Sequence, residues 1–296
     1  MNKSIIKYLI VFFGAVLAIP ASAEEINESI DAASDGHVEI VNISGSVEVY
    51  GWSRNSVEVT GELGDKVEEL IVERNGDKVL VKVKVPRNSG NNIASDLIVR
   101  VPSASSIDVS AVSADIDVED VKGEQSLHTV SGDVDTKAAG SDVSAQSVSG
   151  DVDVSGEGND IEVSATTVSG DVTLSSVAGA VSVEAVSGDL TIDGGTFDRA
   201  TLNSVNGEIY FLAGLRKGGK LTVETVNGDV DVQFGGSVSA KFDIETFNGD
   251  IDNCFGPKAE RTSKYAPGWE LSFTEGDGDG RVDISTLNGD MEICND

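Results

Sequence analysis

Thr225-Val226-Asn227-Gly228-Asp229-Val230-Asp231-Val232 decides the fold, because the chain rewrites this stretch many times. Aligned on the glycine it recurs as Thr129-Val-Ser-Gly-Asp-Val134, Ser147-Val-Ser-Gly-Asp-Val152, Thr167-Val-Ser-Gly-Asp-Val172, Ala185-Val-Ser-Gly-Asp-Leu190, Ser204-Val-Asn-Gly-Glu-Ile209, Thr246-Phe-Asn-Gly-Asp-Ile251 and Thr286-Leu-Asn-Gly-Asp-Met291. Weaker copies, Asn42-Ile-Ser-Gly-Ser-Val47 and Ala111-Val-Ser-Ala-Asp-Ile116, precede them. From Ala114 to Gly249 successive anchors stand 18 to 21 residues apart, and a near-constant period of this size marks a repeat architecture.

Read in columns, each repeat holds two short strands. Seven and five residues before the glycine stand Val163 and Ala165, Val181 and Val183, Leu221 and Val223; two and four after it stand Val152 and Val154, Val172 and Leu174, Val230 and Val232. That is period two, with a corner or bulge at the Thr-Val step, where the positions three and two before the glycine are both small or apolar. Either the strands of each coil pair with their equivalents in the next, or the Asn-Gly steps are hairpin turns of an antiparallel meander or propeller. Ser-Gly replaces Asn-Gly in half the copies and is the weaker hairpin turn, and equal periods suit coils of equal circumference. The expectation is an all-β chain: a right-handed, single-stranded β-solenoid (β-helix) of about nine coils of 18–21 residues, stacked about 4.8 Å apart. One coil buries too few apolar side chains to offset the entropy of ordering it, so the coils fold only as a stack.

Outward from the repeats, residues 1–23 read as a signal peptide: Lys3 and Lys7, the apolar run Leu9 to Ile19, and the cleavage site Ala21-Ser22-Ala23. No second apolar run follows, so no transmembrane segment is expected in the mature chain. Residues 24–106 read as an irregular β-rich N-terminal cap, with a hairpin of Leu70 to Glu73 against Lys78 to Lys84 across Asn75-Gly76 and a polar loop from Asn88 to Asn92. Residues 107–296 are the solenoid. Its rhythm breaks between Gly249 and Gly289, a gap of 40 residues, which implies either an insertion looping out at about 256–280 or a degenerate coil around Leu271 to Gly278; the insertion is preferred.

The formal net charge of −30 makes nucleic acid and anionic lipid poor partners and favours cations and basic proteins. One residue after each anchor stands an acid, in a column Asp133, Asp151, Asp171, Asp189, Glu208, Asp229, Asp250 and Asp290. Carboxylates one layer apart repel, so the column needs an offset: either a backbone N–H accepted by each Asp in its turn, or a bound cation, for which calcium is the natural choice. Cys254 and Cys294 both stand five residues after an anchor, hence in one column, and in an exported chain they are expected to form a disulfide. His37 and His128 read as strand residues rather than bases, and the acids run as uniform columns where an active site needs one coil to differ. No enzyme and no resident cofactor is expected; a polysaccharide lyase or hydrolase and a calcium-stabilised rod are the alternatives.

The opening Gly45-Ser-Val-Glu-Val-Tyr-Gly-Trp52, Val99-Arg-Val-Pro102 before the first regular coil, and the repeated Val-Ser/Asn-Gly-Asp-Val/Ile resemble the bacterial "putative adhesin" family, a domain of unknown function kin to the head domains of some autotransporter adhesins. The resemblance implies a β-solenoid exported to the cell envelope and brings no catalytic residues with it. The expected function is therefore a non-enzymatic, adhesin-like binding or structural protein of the envelope. The periplasm is its first-choice location and the cell surface or secretion the alternatives, with an envelope or surface protein or a glycan as partner.

Overall fold

The computed structural model describes residues 24–87, 92–263 and 267–295; the targeting segment and most of the polar loop lie outside them. The described chain is built of strands and turns, with no helix. The strands of the repeats pair in parallel from coil to coil, which settles the choice between solenoid and meander.

Two ladders run along the molecule. In the first, Ser106–Ser110, Gln125–His128, Val143–Gln146, Asp160–Ser169 and Ala178–Ser187 pair in order, followed by the second halves of Leu190–Asn206 and Ile209–Asn227. The second ladder joins Ser113–Glu119, Val134–Ala138, Val152–Gly156 and Val172–Ser175, then the first halves of the same two long strands, then Val230–Phe234. Register is residue on residue, so like sits over like: Ala145, Ala165, Val183, Leu202 and Val223 form one buried column, and Val154, Leu174, Ile192, Phe211 and Val232 face them as another.

The ladders continue through both ends of the described chain, where the order in the stack departs from the order in sequence. His37–Val41 and Ser44–Trp52 form a coil lying between Ser106–Ser110 with Ser113–Glu119 on one side and Lys78–Lys84 with Ser95–Pro102 on the other. At the far end Gly280–Asn288 and Met291–Asn295 enter between the coil ending in Val230–Phe234 and the coil of Ala240–Asn248 and Ile251–Asn253. The first and last coils of the sequence are thus each the second layer of the stack.

The outermost layers carry antiparallel strands. Glu69–Asn75 returns on Lys78–Lys84 through the Asn75-Gly76 turn, Ser56–Leu63 lies on Ser95–Pro102, and Glu24–Asp31 on Ser56–Leu63. At the other end Trp269–Glu275 folds back on Ala240–Asn248, and Glu260–Arg261 on Trp269–Glu275. Residues 256–280 therefore contain a covering strand as well as loop. Phe273 stacks flat on Phe242 at 4.4 Å between ring centroids, extending a run of core aromatics from Phe197 through Phe211 and Phe234. Such covers occupy parallel edges that would otherwise stand open to a further strand.

Candidate functional site

Every candidate residue of the repeat lies on one corner of the rod, where the chain passes from the first ladder to the second. Three positions before the glycine the side chain points inward, and in several coils its hydroxyl donates to the main-chain carbonyl at the anchor position of the adjoining layer; Ala185 has no hydroxyl, and Ser204 Oγ and Thr225 Oγ1 are buried without a hydrogen-bond partner. Thr129 bonds Ala114 O at 3.1 Å, Ser147 bonds Gly132 O and Thr167 bonds Gly150 O at 3.0 Å, and Thr246 bonds Gly289 O at 3.1 Å. Asn42 Nδ2 does the same to Ser95 O at 2.9 Å in the N-terminal layers. Without a side chain, the anchor glycines bring adjoining coils close: a Cβ on Gly188 would fall 1.8 Å from Gly170 O, and one on Gly249 would fall 1.9 Å from Gly289 O.

The acidic column is held in the same way. Oδ1 of Asp115, Asp133, Asp151, Asp171 and Asp189 accepts the N–H of Asp133, Asp151, Asp171, Asp189 and Glu208 respectively, at 2.8 to 3.1 Å. Asp229 accepts from Asp290, and Asp290 from Asp250, at 2.8 and 2.9 Å. Each bond joins two layers rather than closing the acid's own turn. Asn206, Asn227, Asn288 and Asn248 add a ladder of side-chain amides, bonded in that order at 2.8 to 2.9 Å. The eight acids form a line in which six, Asp133, Asp151, Asp171, Asp189, Asp229 and Asp290, each commit one oxygen to the backbone of the adjoining layer. Among the described residues, the one trio of potential ligands within 4.8 Å of one another is Cys254, Glu292 and Cys294. Its two cysteines are already joined as a disulfide, with Cα atoms 4.9 Å apart in neighbouring coils.

A second acidic column faces out from the second ladder: Glu48, Asp117, Asp135 and Asp153 are aligned in register. Among the described residues no Lys or Arg forms an ion pair with Asp117, Asp135 or Asp153. Loss of solvent, then the charges of Asp135, Glu119 and Glu48, push the Asp117 carboxyl above the usual range; loss of solvent, then Asp153 and Glu119, do the same for Asp135. Cations gather instead near the start of the first-ladder strands, where Arg216 pairs with Asp160 and Asp198, Lys217 with Asp279, and Lys220 and Arg281 with Asp283. His37 and His128 sit in the first ladder, each hydrogen-bonded to a strand serine, Ser106 and Ser126.

The corner also presents something the sequence reading passed over. Two positions before each anchor the side chain is aliphatic or aromatic and points outward: Val112, Val130, Val148, Val168, Val186, Val205, Val226, Leu287 and Phe247, in stack order, are 39 to 48% exposed. They form a ridge one residue wide. At its C-terminal end Phe247 and Leu287 line a hollow of about 360 Å³ with Glu245, Thr262 and Gly268.

A family model described as Toastrack DUF4097 matches residues 36–294. Among solved structures, a "putative lipid binding protein" from Parabacteroides distasonis is 15% identical, with a TM-score of 0.50 over 91% of this chain and 96% of that one. A "putative adhesin" from the same species is 14% identical, with a TM-score of 0.44 over 92% and 98% of the two chains. Another "putative adhesin", from Bacteroides fragilis, is 12% identical with a TM-score of 0.41 over 93% and 98%. At 15% identity the first of these likenesses speaks for the fold alone. No curated protein matches the chain.

Proposed function

As the chain belongs to the Toastrack DUF4097 family, we propose that it is a non-enzymatic, adhesin-like binding or structural rod of the cell envelope, working through its acidic repeat face. The observation that carries this reading is the outward column Glu48, Asp117, Asp135 and Asp153, where like charges are stacked in register and burial raises two of the carboxyls. A cationic partner relieves that repulsion on binding. Uniform layers also suit a surface that is read along its length, whereas catalysis needs one layer to differ from the rest. Export rests on the signal-peptide pattern of residues 1–23, and the periplasm is the compartment we assign.

The test has two arms. Protease treatment of cells carrying a C-terminally tagged chain, before and after the outer membrane is opened, gives the compartment: protection until opening supports the periplasm, and digestion on intact cells moves the protein to the surface. Retention of purified mature protein on isolated envelopes then tests the face. Asp117→Asn, Asp135→Asn and Asp153→Asn should lower retention stepwise, singly and together. Complete loss at one position would point to a discrete catalytic or ligand site, and unchanged retention in the triple variant would remove this face from binding.

A further inference from the structure

We propose that the exposed aliphatic ridge is the docking line for a basic amphipathic helix laid along the rod axis. The inference rests on the binding role proposed above and names the partner's chemistry and its seat.

The nine ridge residues from Val112 to Phe247 are each about 40 to 50% exposed and are the large exposed hydrophobics among the described residues. A corner needs no apolar side chain there for folding, since the glycine contacts and, in several coils, the inward hydroxyls join the layers. The charge around the ridge selects the partner. One side carries the acidic ladder, including Asp171, Asp189 and Asp229; the other carries Glu184, Glu224 and Glu245 two residues before their ridge residues. From Ser110 to Ile293, no Lys or Arg falls between four residues before and four after an anchor position. A second copy of the chain would bring two such acidic borders together, so a partner with basic borders fits and self-association does not.

Spacing selects the helix. The ridge residues recur about every 4.8 Å along the axis. An α-helix presents an apolar side chain every three or four residues, about 4.5 to 6 Å, whereas same-face residues of an extended strand recur about every 6.6 Å and fall out of step. Eight such intervals, about 38 Å, accommodate a helix of about 26 residues. The hollow beside Phe247 and Leu287 gives the helix end a socket for one apolar side chain, with Glu245 placed to meet a neighbouring lysine or arginine.

The probe is a synthetic helical peptide of about 26 residues, leucine at alternate third and fourth positions and lysine on both borders of that stripe. It is compared with a scrambled peptide of identical composition by fluorescence anisotropy against the disulfide-bonded mature chain. The ordered peptide should bind at least about tenfold more tightly than the scrambled one, and Val148→Thr/Val168→Thr/Val186→Thr should weaken it by about tenfold without moving Tm. These isosteric changes keep β-branching at surface positions; Val168→Lys, which places a positive charge on the line, is a second variant that should also weaken binding. Equal binding of ordered and scrambled peptides, or equal binding to wild type and both ridge variants, would overturn the docking line while leaving the acidic-face reading standing. Binding that falls in the Thr variant but is indifferent to Asp117→Asn/Asp135→Asn/Asp153→Asn would support the line and remove that face. A wild-type dimer, or flotation with phosphatidylcholine vesicles, that the Thr variant abolishes would assign the ridge to a second copy or to lipid and overturn the proposal.

Discussion

At the scale of single residues the repeat is a set of interlayer fastenings. The Ser/Asn-Gly-Asp step reads in sequence as a turn whose Asp either accepts an N–H of its own turn or shares a cation. In the structure the glycine is required chiefly because the adjoining coil's carbonyl occupies the space a Cβ would fill, and the Asp reaches across to the next layer. Gly188→Ala should therefore cost about 3 kcal/mol or more, seen as a large drop in Tm by circular dichroism. Gly158→Ala, at φ 77° with open space around its Cβ position, should cost only about 1 kcal/mol. Asp135 makes a prediction of opposite sign. Its folded pKa lies above the unfolded value, so its protonated form is favoured by the fold, and its contribution is most favourable at low pH and is lost as pH rises through the folded pKa. Asp135→Asn should raise Tm by about 1 to 2 °C at neutral pH, with the gain closing as pH falls into the range where the wild-type carboxyl is protonated.

At the scale of strands and corners, what was legible followed from periodicity. Columns such as Val152/Val154 and Val172/Leu174 announced paired parallel strands, and the shared offset of Cys254 and Cys294 announced their meeting. The valines two before each glycine were harder to place, because an apolar column beside a buried Thr column looks like core. Counting period two through Val163, Ala165 and Thr167 puts Val168 outside, and that alternation was the available signal. The order of the terminal coils was not readable: insertion of Gly280–Asn288 ahead of Ala240–Asn248 depends on which edges meet in space, while both strands carry the same pattern. The disulfide fastens that inserted coil to its outer neighbour. Cys254→Ser/Cys294→Ser should lower stability by up to about 4 kcal/mol. Hydrogen exchange should show the loss concentrated in 240–253 and 291–295, with the central coils unaffected.

At the scale of the whole molecule the rod is asymmetric in charge: no Lys or Arg lies within four residues of a repeat anchor from Ser110 to Ile293, whereas acids line the corner that bears the ridge. It is also closed at both ends by antiparallel strands. A chain truncated after residue 279 lacks an inner layer rather than a dispensable tip. It should lose protection throughout 240–253 as well, a collapse that hydrogen exchange or limited proteolysis would report, and intact protection of that segment would refute the layer order described above. That order has a consequence for how the protein is made. A polypeptide delivered from its N-terminus presents the outer C-terminal coil before the coil it must rest on has emerged. Until Gly280–Asn288 and Met291–Asn295 arrive, the segment ending at Asn253 has its own covering strand and no inner seat, so this end of the stack is completed out of sequence order.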